Sequence, residues 1–148
     1  MNKENISIKH DLIIEKSINK KEYIDFYNKK IKTRSELIGA ILKFLRSKLM
    51  YTQKEVATSI GVAQQTYAGY ENGKHEPSIE LMIRLADIYK MPMDYITGRF
   101  SGIDEDEIIN QNLIVEDIID ETYNFYISQK QNENAFLKMI YSKQKEKK

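Results

Sequence analysis

Apolar residues recur at helical spacing along most of this chain. Ile38, Ile41, Leu42 and Leu45 fall on one face of a predicted helix that opens near residue 35. Thr33 and Glu36 have capping-box spacing there, with Ser35 as a competing cap. A second helix start is written at Thr52-Gln53-Lys54-Glu55, runs through Val56, Ala57 and Ile60, and stops at Gly61. A third short helix spans about 63–71 and ends at Asn72-Gly73. Ser78 caps a fourth with the stripe Met82, Leu85, Ala86 and Tyr89, and Pro92 suits the first turn of a fifth, which Gly98 ends.

The flanks are less regular. Residues 6–14 (ISIKHDLII) alternate in part, as a short strand would. Ile24, Tyr27 and Ile31 have helical spacing, so periodicity leaves the fold of this extension open. KKIKTR at 29–34 reads as a solvated basic linker. After Gly98, one apolar stripe carries Val115, Ile118, Ile119 and Tyr126, and another carries Phe136, Leu137, Ile140 and Tyr141, which predicts two further helices. The reading is an all-α chain: an extension over 1–34, a five-helix domain over 35–100 and a helical segment over 101–148.

Charge divides along the same lines. The net charge is +1, but residues 1–34 carry nine Lys/Arg against five Asp/Glu, while 101–148 carry six against ten. Eight carboxylates and no Lys or Arg lie between Asp104 and Glu121. Phosphate would repel that stretch, so it is expected to face away from nucleic acid. The chain has no cysteine and only His10 and His75, which argues against a metal site, a cofactor or a catalytic residue set. No apolar run is long enough to span a membrane and the N-terminus does not read as a signal peptide, so a cytoplasmic protein is expected. Neither a phosphate-cradling glycine loop nor a nucleophile–base pair is visible, so an enzyme is not expected.

The helices at 53–60 and 63–71, joined by Gly61-Val62, have helix-turn-helix spacing. Spacing alone is weak, because short-turn helix pairs are common. The residues are more specific: Gln53 after the cap, ENGK at 71–74, Pro77-Ser78, and LADIY at 85–89. Over about 37–98 the chain resembles the Xre or phage-repressor helix-turn-helix family.

The resemblance implies that the first helix of the pair abuts the DNA backbone and that the second enters the major groove. Gln64, Gln65, Thr66 and Gly69 then stand at base-contact positions, and Gln53, Lys54, Asn72 and Lys74 at phosphate-contact positions. A glutamine amide offers a donor and an acceptor together, which suits adenine N6 and N7. The bland alternative is a set of exposed helix polars and solvated lysines. Gly69 departs from the family, since it offers no side chain to a base. Ala63 also departs, since it cannot cap the second helix. Arg46 and Glu71 match a structural ion pair of the family. Met50 and Tyr51 replace its usual Gly and Leu, with the Tyr51 ring expected in the Leu site. Tyr67 and Tyr70 read as core residues. Lys29, Lys30, Lys32 and Arg34 stand where some phage repressors have a basic arm.

The function implied is a sequence-specific regulator of transcription, a repressor, that binds double-stranded DNA as a homodimer. The alternative is an antitoxin-like or accessory regulator whose segment 103–148 binds a partner protein. Self-cleaving repressors are set aside, because the residues after Gly98 read as helical. Segment 103–148 is expected to build an interface, and the 35–100 core to be complete without it.

Overall fold

The computed structural model describes residues 20–110 and 113–146. The strand reading of 6–14 lies outside them. The fold is all-α. In chain order the helices are α1 (Lys20–Tyr27), α2 (Arg34–Lys48), α3 (Gln53–Ile60), α4 (Gln64–Glu71), α5 (Ile79–Tyr89), α6 (Met93–Ile96), α7 (Glu105–Asn110) and α8 (Val115–Glu146), with a 3-10 turn at Arg99–Ser101 before α7.

Local chemistry sets the boundaries. The Thr33 hydroxyl accepts from the amide of Glu36 at 3.1 Å and caps α2. Ser35, the competing cap, instead donates to Glu76 at 2.8 Å. Thr52 and Glu55 close a reciprocal capping box at the start of α3, which ends at Gly61 with φ 78°. Ser78 caps α5 by accepting from Leu81. Pro92 sits one residue earlier than expected, at the N-cap of α6. Arg84 donates to the carbonyl of Ile60 at 3.0 Å, which satisfies an acceptor at the end of α3.

α2 is the axis of the core. Leu37, Ile41, Leu42 and Leu45 are fully or nearly fully buried, with Ile60, Tyr67, Leu85 and Ile96 around them. Gly39 lets α4 come close, because a Cβ there would collide with the carbonyl oxygens of Tyr70 and Glu71.

Three expectations about the flanks need correction. The stretch 29–34 is not a solvated linker. Ile31 is buried and donates to Leu113 at 2.7 Å, and Val115 donates to the Lys29 carbonyl at 2.9 Å, around an antiparallel bridge between Lys30 and Ile114. Arg34 spends its guanidinium on Glu105 (2.8 Å), the carbonyl of Thr97 (2.9 Å) and that of Ile103 (2.8 Å). It is therefore committed to holding α7 and the turn before it, which removes it from a basic arm; Lys29, Lys30 and Lys32 remain exposed.

Second, the two apolar stripes of the tail lie on one continuous 32-residue helix, α8. No glycine or proline interrupts residues 115–146, so the periodicity had no stop signal to obey. Third, the 35–100 core is not complete without the tail. Val115, Ile118 and Ile119 are buried in the same cluster as Phe26, Tyr27, Ile31 and α2, and Thr122 is buried too. Tyr123 stacks edge-on against Phe44 at 5.7 Å, and the Lys48 ammonium lies 3.4 Å from the Tyr123 ring centroid. Tyr126 meets Tyr95 at 5.4 Å. The first third of α8 is thus a cover for its own chain.

This packing sets an expectation for Ile118→Ala. The residue is 2% exposed, so truncation should cost about 2–5 kcal/mol, the range for core Ile to Ala. Denaturant unfolding followed by circular dichroism measures it. An unchanged midpoint would show that α8 does not complete this core.

Candidate nucleic-acid interface

The candidate surface is built on α3 and α4, packed together through Val56, Ala57, Ile60, Tyr67 and Tyr70, all buried. Gln64 and Gln65 open α4 and are exposed, and Thr66 beside them is half-buried. Lys54 on the first turn of α3, and Asn72 and Lys74 just after α4, are exposed as well. Ala63 is the N-cap of α4 and makes no side-chain cap bond. The first turn of α4 therefore depends on the packing of its far face against α2 and α5.

Beneath this surface lies a buried charge pair. Arg46 donates from Nε to Glu71 Oε2 at 2.6 Å and from Nη2 to Oε1 at 3.0 Å. Its Nη1 donates to the carbonyl of Tyr51 at 3.0 Å. Both residues are 4% exposed. Burial disfavours the Arg46 charge, but the hydrogen bonds and charge of Glu71 outweigh that, and the guanidinium pKa is raised. Gln53 completes the cluster: its Nε2 donates to Glu71 Oε1 at 3.0 Å. One carboxylate at the end of α4 thereby ties α2, the turn after it and the start of α3. Gln53 is half-buried, and its amide nitrogen faces inward to this carboxylate. The sequence marked Gln53 through family resemblance only; its bond to Glu71 spans 18 positions, and no local signal shows it.

Two hydroxyls missed by sequence reasoning lie close by. Tyr67 and Tyr89 share a hydrogen bond of 2.5 Å between their phenol oxygens. Burial, reinforced by the Glu71 charge, holds Tyr67 protonated far above the usual phenol range, and burial raises Tyr89 too. Tyr67 is fully buried and Tyr70 nearly so, as their placement opposite Gln65 predicts.

Three positions differ from expectation. Gly69 is buried, and a Cβ there would collide with the imidazole of His75. The missing side chain has an internal reason: it seats His75, which also meets the Tyr70 ring edge-on at 5.6 Å. Gly69 thus lies beneath the His75 side chain. Tyr51 is not a fully buried core residue, being 37% exposed, and its carbonyl accepts from Arg46. Met50, next to it, takes φ 61°. The turn keeps the left-handed backbone for which glycine is suited, now imposed on a side chain.

Among the described residues no group of acidic, His or Cys side chains could hold a metal ion, and no helix is long and apolar enough to cross a membrane.

A helix-turn-helix family profile matches residues 42–96. The chain is similar to the HTH-type transcriptional regulator ImmR of Bacillus subtilis, 28% identical over 102 residues, covering 69% of this chain and 74% of that protein. It is 33% identical over 75 residues to the SPbeta prophage-derived uncharacterized HTH-type transcriptional regulator YonR of Bacillus subtilis, covering 50% of this chain and 69% of that protein. It is 35% identical over 70 residues to the cryptic phage CTXphi transcriptional repressor RstR of Vibrio cholerae, covering 47% of this chain and 63% of that protein. No solved structure matches significantly.

Two stability outcomes follow from the buried cluster. Arg46→Ala leaves the Glu71 carboxylate buried without its cation and should cost about 3–5 kcal/mol, whereas Arg46→Met with Glu71→Leu should recover most of that loss. Chemical denaturation of both variants checks this; equal losses would mean that repacking, not the unpaired charge, sets the cost. The second outcome concerns alkaline pH. Tyr67 and Tyr89 stay neutral in the fold while the unfolded chain ionises near pH 10. Their contribution is full below that pH and falls as pH rises above it. Melting temperatures from pH 9 to about 11 should decline less steeply in a Tyr67→Phe/Tyr89→Phe variant.

Proposed function

The chain belongs to the Xre-type helix-turn-helix family of DNA-binding transcriptional regulators, and on that premise we propose that it is a repressor reading double-stranded DNA through the first turn of α4. The observation that carries this reading is the presentation of Gln64 and Gln65. They stand exposed at the start of a helix whose other end is locked by Glu71 to Arg46 and Gln53. A side chain that reads a base edge must be held in register, and a bidentate buried pair does that better than a flexible contact.

In this reading Gln64 and Gln65 pair with base edges in the major groove, and Thr66 meets a thymine methyl or a phosphate. Lys54, Asn72 and Lys74 contact phosphates, and the backbone amide of Gln53 does so while its side chain holds Glu71. RstR is a transcriptional repressor, which supports repression here. One α4 reads only a few base pairs, so a pseudo-palindromic operator bound by two copies supplies the missing specificity.

Selection of bound duplexes from a random pool, followed by sequencing, tests the reading: a conserved half-site should emerge. On that site Gln64→Ala should lose about 1–3 kcal/mol and relax preference at one base pair, while Lys74→Ala should weaken cognate and scrambled DNA alike and lower the salt slope by about one. A Gln64→Ala specificity profile identical to wild type would remove α4 from base readout.

A further inference from the structure

The loop after α4 folds back onto the helix it has just left. Gly73, with φ 73°, turns the chain, and a Cβ there would collide with Glu36. The Lys74 amide then donates to the Gly69 carbonyl at 3.0 Å. Glu76 accepts from the Ser35 hydroxyl at 2.8 Å, and Pro77 is buried. His75 thus stands between anchored neighbours, so its backbone is fixed although the residue is exposed.

The imidazole is placed as well. It meets the Tyr70 ring edge-on at 5.6 Å. It also lies where a side chain at residue 69 would begin: a Cβ on Gly69 would fall against Nε2 and within 2.8 Å of Cε1. Residue 69 follows Gln65 by four positions, one turn along the same face of α4. That face therefore carries a side chain at this level, supplied by the loop and not by the helix. No hydrogen bond to another described residue engages the ring nitrogens. Whatever its protonation state, an imidazole keeps at least one N–H donor.

We propose that His75 is a specificity-determining residue that reads a base edge in the major groove from the position Gly69 leaves without a side chain. The proposal rests on the reading of α4 as the recognition helix and extends it to a residue outside that helix. A donor needs an acceptor, and guanine presents two in the major groove, N7 and O6, whereas adenine sets a donor beside its N7. The expected target is a guanine near the bases met by Gln64 and Gln65. A phosphate contact is the competing role for a loop histidine, and the face shared with Gln65 favours the base edge.

Selection from a random duplex pool tests this with the full chain, His75→Ala, Gly69→Gln/His75→Ala and Gln64→Ala. His75→Ala should relax a guanine preference at one base pair and weaken the wild-type site by about five- to a hundredfold. Gly69→Gln/His75→Ala grows a glutamine from α4 into the space the imidazole vacates. Its profile should change at that same base pair, toward adenine, which suits a glutamine amide. A histidine that only steadied α4 would lower affinity without rewriting one position.

Equal losses of His75→Ala on cognate and scrambled duplexes would make His75 a phosphate contact. An unchanged profile would make it a packing residue. A double variant that changes preference at a different base pair would separate His75 from position 69. Each of these results overturns the proposal, as does a His75→Ala protein that fails to fold by circular dichroism, since an exposed reader is not needed for the fold. Gln64→Ala scores the underlying reading. If it alters the profile while His75→Ala does not, the α4 reading survives and this inference fails; if neither alters it, both fail.

Discussion

Two opposite charges, Arg46 and Glu71, are almost wholly removed from water among described residues whose interior is mostly aliphatic and aromatic. Taking an ion out of water costs several kcal/mol, and only close geometry with further hydrogen bonds repays it. Here every partner is present: two bonds between the pair, a carbonyl from Tyr51 and an amide from Gln53. The arrangement makes sense as a registry device. It fixes the end of α4 relative to α2 and to the start of α3, and any slip of one helix would leave a buried charge unsatisfied. Gly39 belongs to the same constraint, since it lets α2 approach the backbone of Glu71 itself.

Stability is distributed unevenly around that constraint. α2, α3 and α5 each have a side-chain cap, and α3 has a reciprocal one. α4 has none, and its first turn is where Gln64 and Gln65 stand. The left-handed Met50 sits in the turn whose next residue supplies the carbonyl to Arg46. The uncapped first turn of α4 and the left-handed Met50 thus both adjoin the α3–α4 pair, as a second uncapped helix, α6, and a second left-handed residue, Lys90, adjoin the end of α5.

Much of the 35–100 region was legible because its signals are local. Capping residues, glycine stops and 3.6-residue periodicity lie within a few positions of what they decide, and the helices fall where they predict. The Arg46–Glu71 pair was legible only through family resemblance, as 25 positions separate its members. Three features were not legible. Arg34 looked like one more basic linker residue, since its acceptors lie 63–71 positions away. Gly69 looked like a gap in a reading surface because nothing in the sequence places His75 over it. The tail looked autonomous because its stripe shows that a face is buried but not against what.

The antiparallel bridge between Lys30 and Ile114, with Lys29 bonded to Val115, closes a circuit of more than eighty residues. Synthesis proceeds from the N-terminus, and domains fold as units while the chain emerges. α1 and the segment 29–31 are made before α3 and α4, yet their partners on α8 are made after them. A nascent chain that has already exposed α3 and α4 still lacks Val115, Ile118, Ile119 and Thr122, and so still presents part of its core to water. The surface turn of α4 then gains its settled frame only once α8 has emerged, which ties the onset of any binding by this chain to the arrival of that helix.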